Sequence, residues 1–157
     1  MTMAKTVEGC LERHYLPYSV IFHSRALCSR DTAQAAAVPA ERIAKAVLLA
    51  DANGYVMAVV PGDSHVVVDV ISRDLQRDLH LVDETRLQSL FVDCEAGAIP
   101  PLGPAYGIET VVDDRVLDQA EVYFVAGDHA ELVCVDRNAF LLLLKDAKHG
   151  RISRPSH

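Results

Sequence analysis

The sequence predicts one α+β domain over residues 1–157, with a mixed or antiparallel sheet flanked by short helices. Strand-like segments occur in pairs separated by turn sequences such as DANG and GDHAE, which is typical of hairpins. Helical patterns occur in groups and do not alternate strictly with the strands. Neither a dinucleotide-binding glycine pattern nor a P-loop pattern follows a strand, so a doubly wound parallel sheet is disfavoured.

The first half of the chain contains two predicted helices and four predicted strands. An amphipathic helix covers residues 4–14 and ends before Pro17, and a second helix covers 32–37 with Ser29 or Asp31 as its N-cap. The last three strands form one sheet with a well buried middle. The four strands are expected at 18–23, 45–50, 55–60 and 65–71.

The second half begins with two predicted helices and ends with one. The helices cover residues 72–79 and 84–91, the second capped by Asp83, and the closing helix at 137–150 is capped by Asp136. Between them we expect a loop without regular structure at 95–107 and three strands, at 109–114, 120–127 and 132–136.

Composition and charge limit the classes of function. The N-terminus has no signal-peptide pattern and no apolar run reaches membrane length, so we expect a cytoplasmic protein with no membrane partner. A net charge of −7 argues against a protein that coats DNA or RNA. A local basic site is still compatible, with Arg25, Arg30, Arg42 and Lys45 as candidates, whereas the cations at 145–154 are better interpreted as a solvated tail.

Three short segments are candidates for chemistry. Lys45 directly precedes a buried strand, where its ammonium group either meets an anion or a cleft, or extends along the strand end to water. The glycines and prolines of the loop 97–103 either present rigid N–H donors to an oxyanion, worth about 3 kcal/mol each, or are only structural. The turn 127–129 places His129 beside Asp128, as a proton-transfer group or as an ordinary surface residue.

Two other arrangements are weighed and disfavoured. The four cysteines are scattered without a CxxC pair, which favours buried thiols over a disulfide framework or a nucleophilic pair of Cys94 with His129. A zinc site would need His23, Cys28, Cys94 and His129 from separate elements without the usual short spacing. We therefore expect no metal and no cofactor.

A lysine before an apolar strand, a GxxxP loop and a Gly-x-His turn, in this order, resemble the YbaK/ProX family of aminoacyl-tRNA deacylases. That family is similar to the editing domain inserted in bacterial prolyl-tRNA synthetases, and the resemblance spans nearly the whole chain. It implies an α+β fold of that type. It places the catalytic residues at Lys45, Gly97 and His129 and substrate-binding residues at Ala46, Ala98, Ile99, Pro101, Gly127 and Asp128.

The resemblance also implies a reaction. The 3′-terminal adenosine of a tRNA and its esterified amino acid would enter a small pocket, and an oriented water, helped by the ribose hydroxyl of the substrate, would cleave the ester. Lys45 would hold phosphate or the ester, and His129 would shape the pocket. A synthetase is a further expected partner, because an acidic chain that contacts only the acceptor end binds tRNA weakly.

The residue after the lysine departs from the family. Some members that remove alanine from proline tRNA have Asn there, and members that remove cysteine have Thr, whereas this chain has Ala46. Since a missing methylene is worth only about 1–3 kcal/mol, a small pocket selects by steric exclusion, and alanine, serine, cysteine and proline all stay open as substrates. Two rival functions also stay open: a non-catalytic module that binds aminoacyl-tRNA, a nucleotide or a synthetase, and an unrelated hydrolase that uses Cys94.

Overall fold

The computed structural model describes residues 3–156 and has a mixed α+β architecture, which confirms the predicted fold class. Three short 3-10 turns occur at Ala40–Arg42, Glu84–Arg86 and Gly103–Tyr106. The helices and strands, in chain order, are α1 (Lys5–Arg13), β1 (Ser19–Phe22), α2 (Ser29–Ala36), β2 (Ala44–Asp51), β3 (Gly54–Pro61), β4 (Ser64–Val66), α3 (Val68–Leu75), β5 (His80–Leu81), β6 (Glu109–Asp113), α4 (Asp114–Leu117), β7 (Glu121–Val125), β8 (Glu131–Asp136), α5 (Arg137–Leu143), β9 (Lys148–Gly150) and β10 (Ser153–Pro155).

The strands form three sheets. The largest has the order β5-β2-β3-β6-β9, with β2 and β3 antiparallel and with β6 parallel to both β3 and β9. A second sheet has the antiparallel order β1-β8-β7, and β4 and β10 form a third, antiparallel sheet of two strands. The predicted DANG hairpin is confirmed, since Asp51 Oδ1 accepts hydrogen bonds from the backbone N–H groups of Asn53 and Gly54.

Strand β3 is buried on both faces. Met57 and Val59 pack into one core together with α1, β7, β8 and α5, while Val56, Ala58 and Val60 pack into a second core that includes Ile71 of α3. All five of these β3 side chains are fully buried. The prediction of a well buried middle strand is confirmed, and the strand alternation distributes its side chains between the two cores.

The apolar segment 65–71 is not the predicted third strand of this sheet. Only Ser64–Val66 is extended, and it pairs with β10 in a separate sheet, after which the chain turns into α3. Val68, Ile71 and Leu75 are spaced as on one helical face, and all three contact the second core. The valine-rich composition favoured a strand prediction and masked the helical spacing of Val68, Ile71 and Leu75.

Several other boundaries also differ from the predictions. The segment 72–79 is helical only to Leu75, and 84–91 contains one 3-10 turn in place of a helix. The 3-10 turn Gly103–Tyr106 lies in the loop predicted to lack regular structure, α4 was not predicted, and α2 is preceded by Cys28 without a side-chain cap.

The last helix begins as predicted, with Asp136 Oδ1 accepting a hydrogen bond from Ala139 N. It ends at Leu143 and not at Gly150, since residues 148–150 form β9 beside β6. The basic side chains at 145–154 are exposed, as predicted for solvated cations, but the segment is not a free tail, because residues 148–150 and 153–155 form the paired strands β9 and β10. Within residues 3–156, no helix combines the length and apolarity needed to cross a membrane.

Gly103 and Gly9 give a matched test of the packing. A methyl group at Gly103 would overlap the Thr110 hydroxyl and lie 3.0 Å from the Ile108 carbonyl oxygen, whereas one at Gly9 in α1 would meet nothing closer than 3.9 Å. We expect Gly103→Ala to lower the free energy of unfolding by about 1–3 kcal/mol. Gly9→Ala should raise it by about 0.5–1 kcal/mol. Urea unfolding measures both, and equal effects would contradict the packing described.

Candidate active site

Two adjoining cavities lie where the start of β2 meets the N-terminus of α2 and the loop that follows residue 95. We call them cavity A, with a volume of about 480 Å³, and cavity B, with about 490 Å³. Lys45 lines cavity A, together with Cys28, Ser29 and Arg30 from the beginning of α2. The residues common to both cavities are Leu27, Ala46, Gly97, Ile99 and His129.

Lys45 is half-buried at the start of β2 and does not simply extend to water. Its Nζ donates a 2.6 Å hydrogen bond to the backbone oxygen of Ser64, in the turn that ends β3. Burial lowers the pKa of the Lys45 ammonium group from its ordinary value, and the negative charge of Asp63 partly offsets this effect. Lys45 is thus a fixed point charge in the wall of cavity A.

The loop after Cys94 folds back on itself at the boundary of the two cavities. Ala98 N donates to Glu95 O at 3.0 Å, and Glu95 N donates to Gly127 O at 2.8 Å, so the loop is fastened to the later turn. Gly97 has a φ of +82°, which favours glycine. Among the residues that the structure describes, none accepts a hydrogen bond from the backbone N–H groups of Gly97 and Ile99.

His129 is only 4% exposed, so it is not an ordinary surface residue of a turn. Its Nε2 donates a 2.7 Å hydrogen bond to Ala96 O, which fixes the ring against the loop and leaves Nδ1 as the acceptor nitrogen of the neutral ring. Asp128 Oδ1 accepts hydrogen bonds from Ala130 N and Glu131 N and so shapes the turn. Gly127 has a φ of +107° and packs against Ala4, where a methyl group would come within 2.7 Å.

The predicted site residues fall into two groups. Lys45, Ala46, Gly97, Ile99 and His129 are brought together, and of these Lys45 lines cavity A and the other four line both cavities. The remaining predicted residues are buried and lie outside both sets of lining residues. They are Ala98, Pro101, Gly127 and Asp128.

The sequence did not reveal several residues that contact this site. Asp63 and Ser64 were visible only as part of a turn signal, although one sets the charge beside Lys45 and the other supplies its acceptor. Leu27 lies between the two cavities and is 69% exposed, without any motif to mark it. Among the basic candidates, Arg30 lines cavity A, and Arg25 pairs with Glu95 at 3.2 Å beside cavity B.

Cavity B is lined mainly by apolar side chains. Its polar side chains are Gln88, Glu95 and His129, and Gln88 Nε2 donates to Cys94 O at 3.1 Å. A cleft with apolar walls and a few fixed polar groups at one edge is suited to a small organic group attached to a polar one. The apolar residues that line it are Leu48, Leu81, Val82, Leu87 and Phe91.

Cys94 lacks the environment of a nucleophile. It is 4% exposed, and its Sγ donates to Asp93 Oδ1 at 3.5 Å. Burial raises the pKa of the Cys94 thiol to about 11, which keeps it protonated at neutral pH. Between residues 3 and 156, no three His, Cys, Asp or Glu side chains are grouped where they could hold a metal ion.

Known structures share this fold. The crystal structure of hypothetical protein APE2540 is 19% identical, with a TM-score of 0.83 over 96% of this chain and 100% of that chain. A candidate trans-editing enzyme for prolyl-tRNA synthetase is 20% identical, with a TM-score of 0.79 over 96% of each chain. A scaffold protein from computational epitope grafting is 21% identical, with a TM-score of 0.79 over 97% of each chain. At these identities the likeness shows the fold.

Sequence comparison gives the family. No curated protein matches the chain significantly. The family model described as the aminoacyl-tRNA editing domain matches residues 23–142, a segment that contains Lys45, Gly97 and His129. The chain therefore belongs to the aminoacyl-tRNA editing domain family, in agreement with its resemblance to the YbaK/ProX deacylases.

Proposed function

We propose that the protein is a trans-editing deacylase, which hydrolyses the ester between a small amino acid and the 3′ end of a mischarged tRNA. The observation that carries this proposal is the meeting of Lys45, Gly97 and His129 in one cleft from three distant segments of the chain. Membership of the aminoacyl-tRNA editing domain family supports the substrate class. Such a substrate would place the protein in the cytoplasm.

The ester carbonyl is proposed to lie at the boundary of the two cavities, beside Gly97. The N–H groups of Gly97 and Ile99 would stabilise the oxyanion that forms when water attacks the carbonyl carbon. Fixed donors of this kind contribute roughly 3 kcal/mol each to transition-state stabilisation. Such a site needs no side-chain nucleophile, provided that the cleft orients the attacking water and a substrate hydroxyl can assist it.

Lys45 and His129 would have separate roles. The Lys45 ammonium group would hold the terminal phosphate or the developing charge on the ester, since it is fixed at the cavity wall. His129 would keep the loop in place through the hydrogen bond from Nε2 to Ala96 O. Its Nδ1 could then accept a hydrogen bond from a ribose hydroxyl of the substrate.

The lining of cavity A leaves room for part of the substrate. Short side chains surround Lys45 there, including Ala40, Ala44 and Ala46, with Gly62 nearby. We propose alanine, serine, cysteine or proline as the amino acid that is removed, as the resemblance to the YbaK/ProX family implies, and the short side chains leave room for any of them. Because the chain has a net charge of −7, we further propose that it contacts only the acceptor end, near Arg25 and Arg30, and that a synthetase supplies additional tRNA affinity.

The first prediction concerns Lys45. Lys45→Ala should lower the rate of amino acid release from tRNA charged with alanine, serine, cysteine or proline by roughly a hundredfold or more, because it removes the fixed charge. Lys148→Ala is the matched control, since the Lys148 side chain is 64% exposed and lies outside both cavities. If wild-type protein releases none of the four amino acids faster than the reaction without protein, the deacylase proposal fails. The non-catalytic binding module is then the better explanation.

The second prediction concerns Cys94. Cys94→Ala should leave the deacylation rate unchanged, because a buried, protonated thiol takes no part in the proposed reaction. Substitution is the better test here than a thiol reagent, since the exposed Cys28 lines cavity A and its alkylation would block the cleft. Loss of activity in a folded Cys94→Ala protein would support the hydrolase that uses this thiol.

The third prediction concerns Ala46, which lines both cavities. Ala46→Val should narrow the boundary between them and lower kcat/KM for prolyl-tRNA more than for alanyl-tRNA, by about 10-fold in the ratio. The ratio is measured within one protein preparation, so it does not depend on the fraction of active protein. An unchanged ratio would show that the amino acid does not reach position 46.

A further inference from the structure

The turn after β3, whose Ser64 carbonyl oxygen binds Lys45, is fixed by several contacts. It comprises residues 61–64, and its Ser64 carbonyl accepts the Lys45 hydrogen bond at 2.6 Å. Gly62 N donates to Ile43 O at 2.7 Å, and a methyl group at Gly62 would come within 2.7 Å of the Ala40 carbonyl oxygen. The turn therefore fits closely against the segment that leads into β2, and its position determines where the ammonium group lies.

Arg115 contacts both charged and polar groups of this turn. Its Nη1 donates to Ser64 Oγ at 2.9 Å, and its Nη2 contacts Asp63 Oδ1 at 3.3 Å. Ser64 Oγ in turn donates to Asp63 Oδ1 at 2.9 Å, and Ser64 is fully buried. The three side chains thus form a closed set of hydrogen bonds. Of the three, Asp63 lines cavity A, whereas Arg115 and Ser64 do not.

Arg115 is itself held by the end of the chain. Asp113 caps α4 by accepting from Arg115 N at 2.9 Å. The other oxygen of Asp113 accepts from Ile152 N at 3.0 Å and from Ser153 Oγ at 2.7 Å. Since β10 also pairs with β4, the turn, α4 and the C-terminal strand are fixed relative to one another.

We propose that Arg115 is a positioning residue for the deacylation, which acts through Asp63 and Ser64 to hold the ammonium group of Lys45 against the wall of cavity A. This inference rests on the proposed function for its effect on rate. Its effect on Lys45 follows from the contacts alone and can be measured without a substrate.

Asp63 and Arg115 are expected to change the pKa of Lys45 in opposite directions. Asp63 attracts the ammonium group and raises its pKa, as does Cys28 to a smaller extent, while burial lowers it. Arg30 and His129 also line cavity A. Arg115 neutralises part of the Asp63 charge, so its removal should raise the Lys45 pKa, whereas removal of the Asp63 charge should lower it further.

The experiment is a titration of the Lys45 side chain by NMR in protein labelled with ¹³C-lysine, which contains only four lysines. Lys45→Arg identifies the signal. We expect the pKa of Lys45 to rise in Arg115→Gln and to fall in Asp63→Asn. Arg115→Lys should restore most of the wild-type value. Arg77→Gln is the matched control, because Arg77 is a partly buried arginine that pairs with Asp51 and Glu109 at a different place in the large sheet.

Deacylation rates are measured on the same proteins across pH, with the rate of the uncatalysed reaction subtracted. If protonated Lys45 is the active form, activity falls as pH rises through its pKa, so this limb moves to higher pH in Arg115→Gln and to lower pH in Asp63→Asn. Arg115→Gln should also lower kcat by between about tenfold and a hundredfold, through misplacement of Lys45. Arg77→Gln should lower only the melting temperature.

The outcomes separate the two proposals. Shifts of the Lys45 pKa in the same direction in both folded variants, or no shift in either, would overturn the role of Arg115. The role of Arg115 would also be overturned if Arg115→Gln shifted the Lys45 pKa no more than Arg77→Gln does. If wild-type protein has no deacylase activity, the proposed function fails, and the NMR titration still decides whether Arg115 controls the position and charge environment of Lys45.

Discussion

The pairing of β2 with β3 is the interaction on which the rest of the structure depends. The two strands are antiparallel over their whole length, from Ala44 opposite Pro61 to Asp51 opposite Gly54. Because β3 is buried on both faces, a slip of one residue would exchange the side chains of the two cores, so the register is strongly fixed. The same register places Lys45 next to the turn that follows β3, and the position of the candidate site is thus a consequence of core packing.

The sequence predicted the parts of the fold that depend on local pattern. The hairpin around Asp51 and the cap at Asp136 are examples, since turn and cap residues act on their neighbours. It failed at α3 and at β9. The valine-rich segment before Ile71 carries both a strand-like composition and a helical spacing, and β9 is defined by its pairing with the distant β6. Local sequence alone does not decide between helix and strand in these two segments. Their contacts with the second core and with β6 decide it.

The candidate site shows the same division. Each of the three segments alone also allowed a purely structural explanation, and it was the resemblance to the YbaK/ProX family that selected Lys45, Gly97 and His129. The structure gathers these residues at one cleft. The groups that hold them were not predictable, because two are backbone carbonyls, those of Ser64 and Ala96, and any residue can supply a carbonyl. Arg115 was invisible for a related reason, since it lies far along the chain from the turn it contacts.

The pairing of β4 with β10 has a consequence for the order of assembly. The hairpin that carries Lys45 consists of residues near in sequence, so it can form early during synthesis. The strand that fixes the adjoining turn, with Pro155 opposite Ser64, is translated long afterwards. A ribosome-bound chain would therefore contain the β2–β3 hairpin before the turn beside Lys45 is fixed. The cleft would take its shape only when residues 153–155 pair with β4.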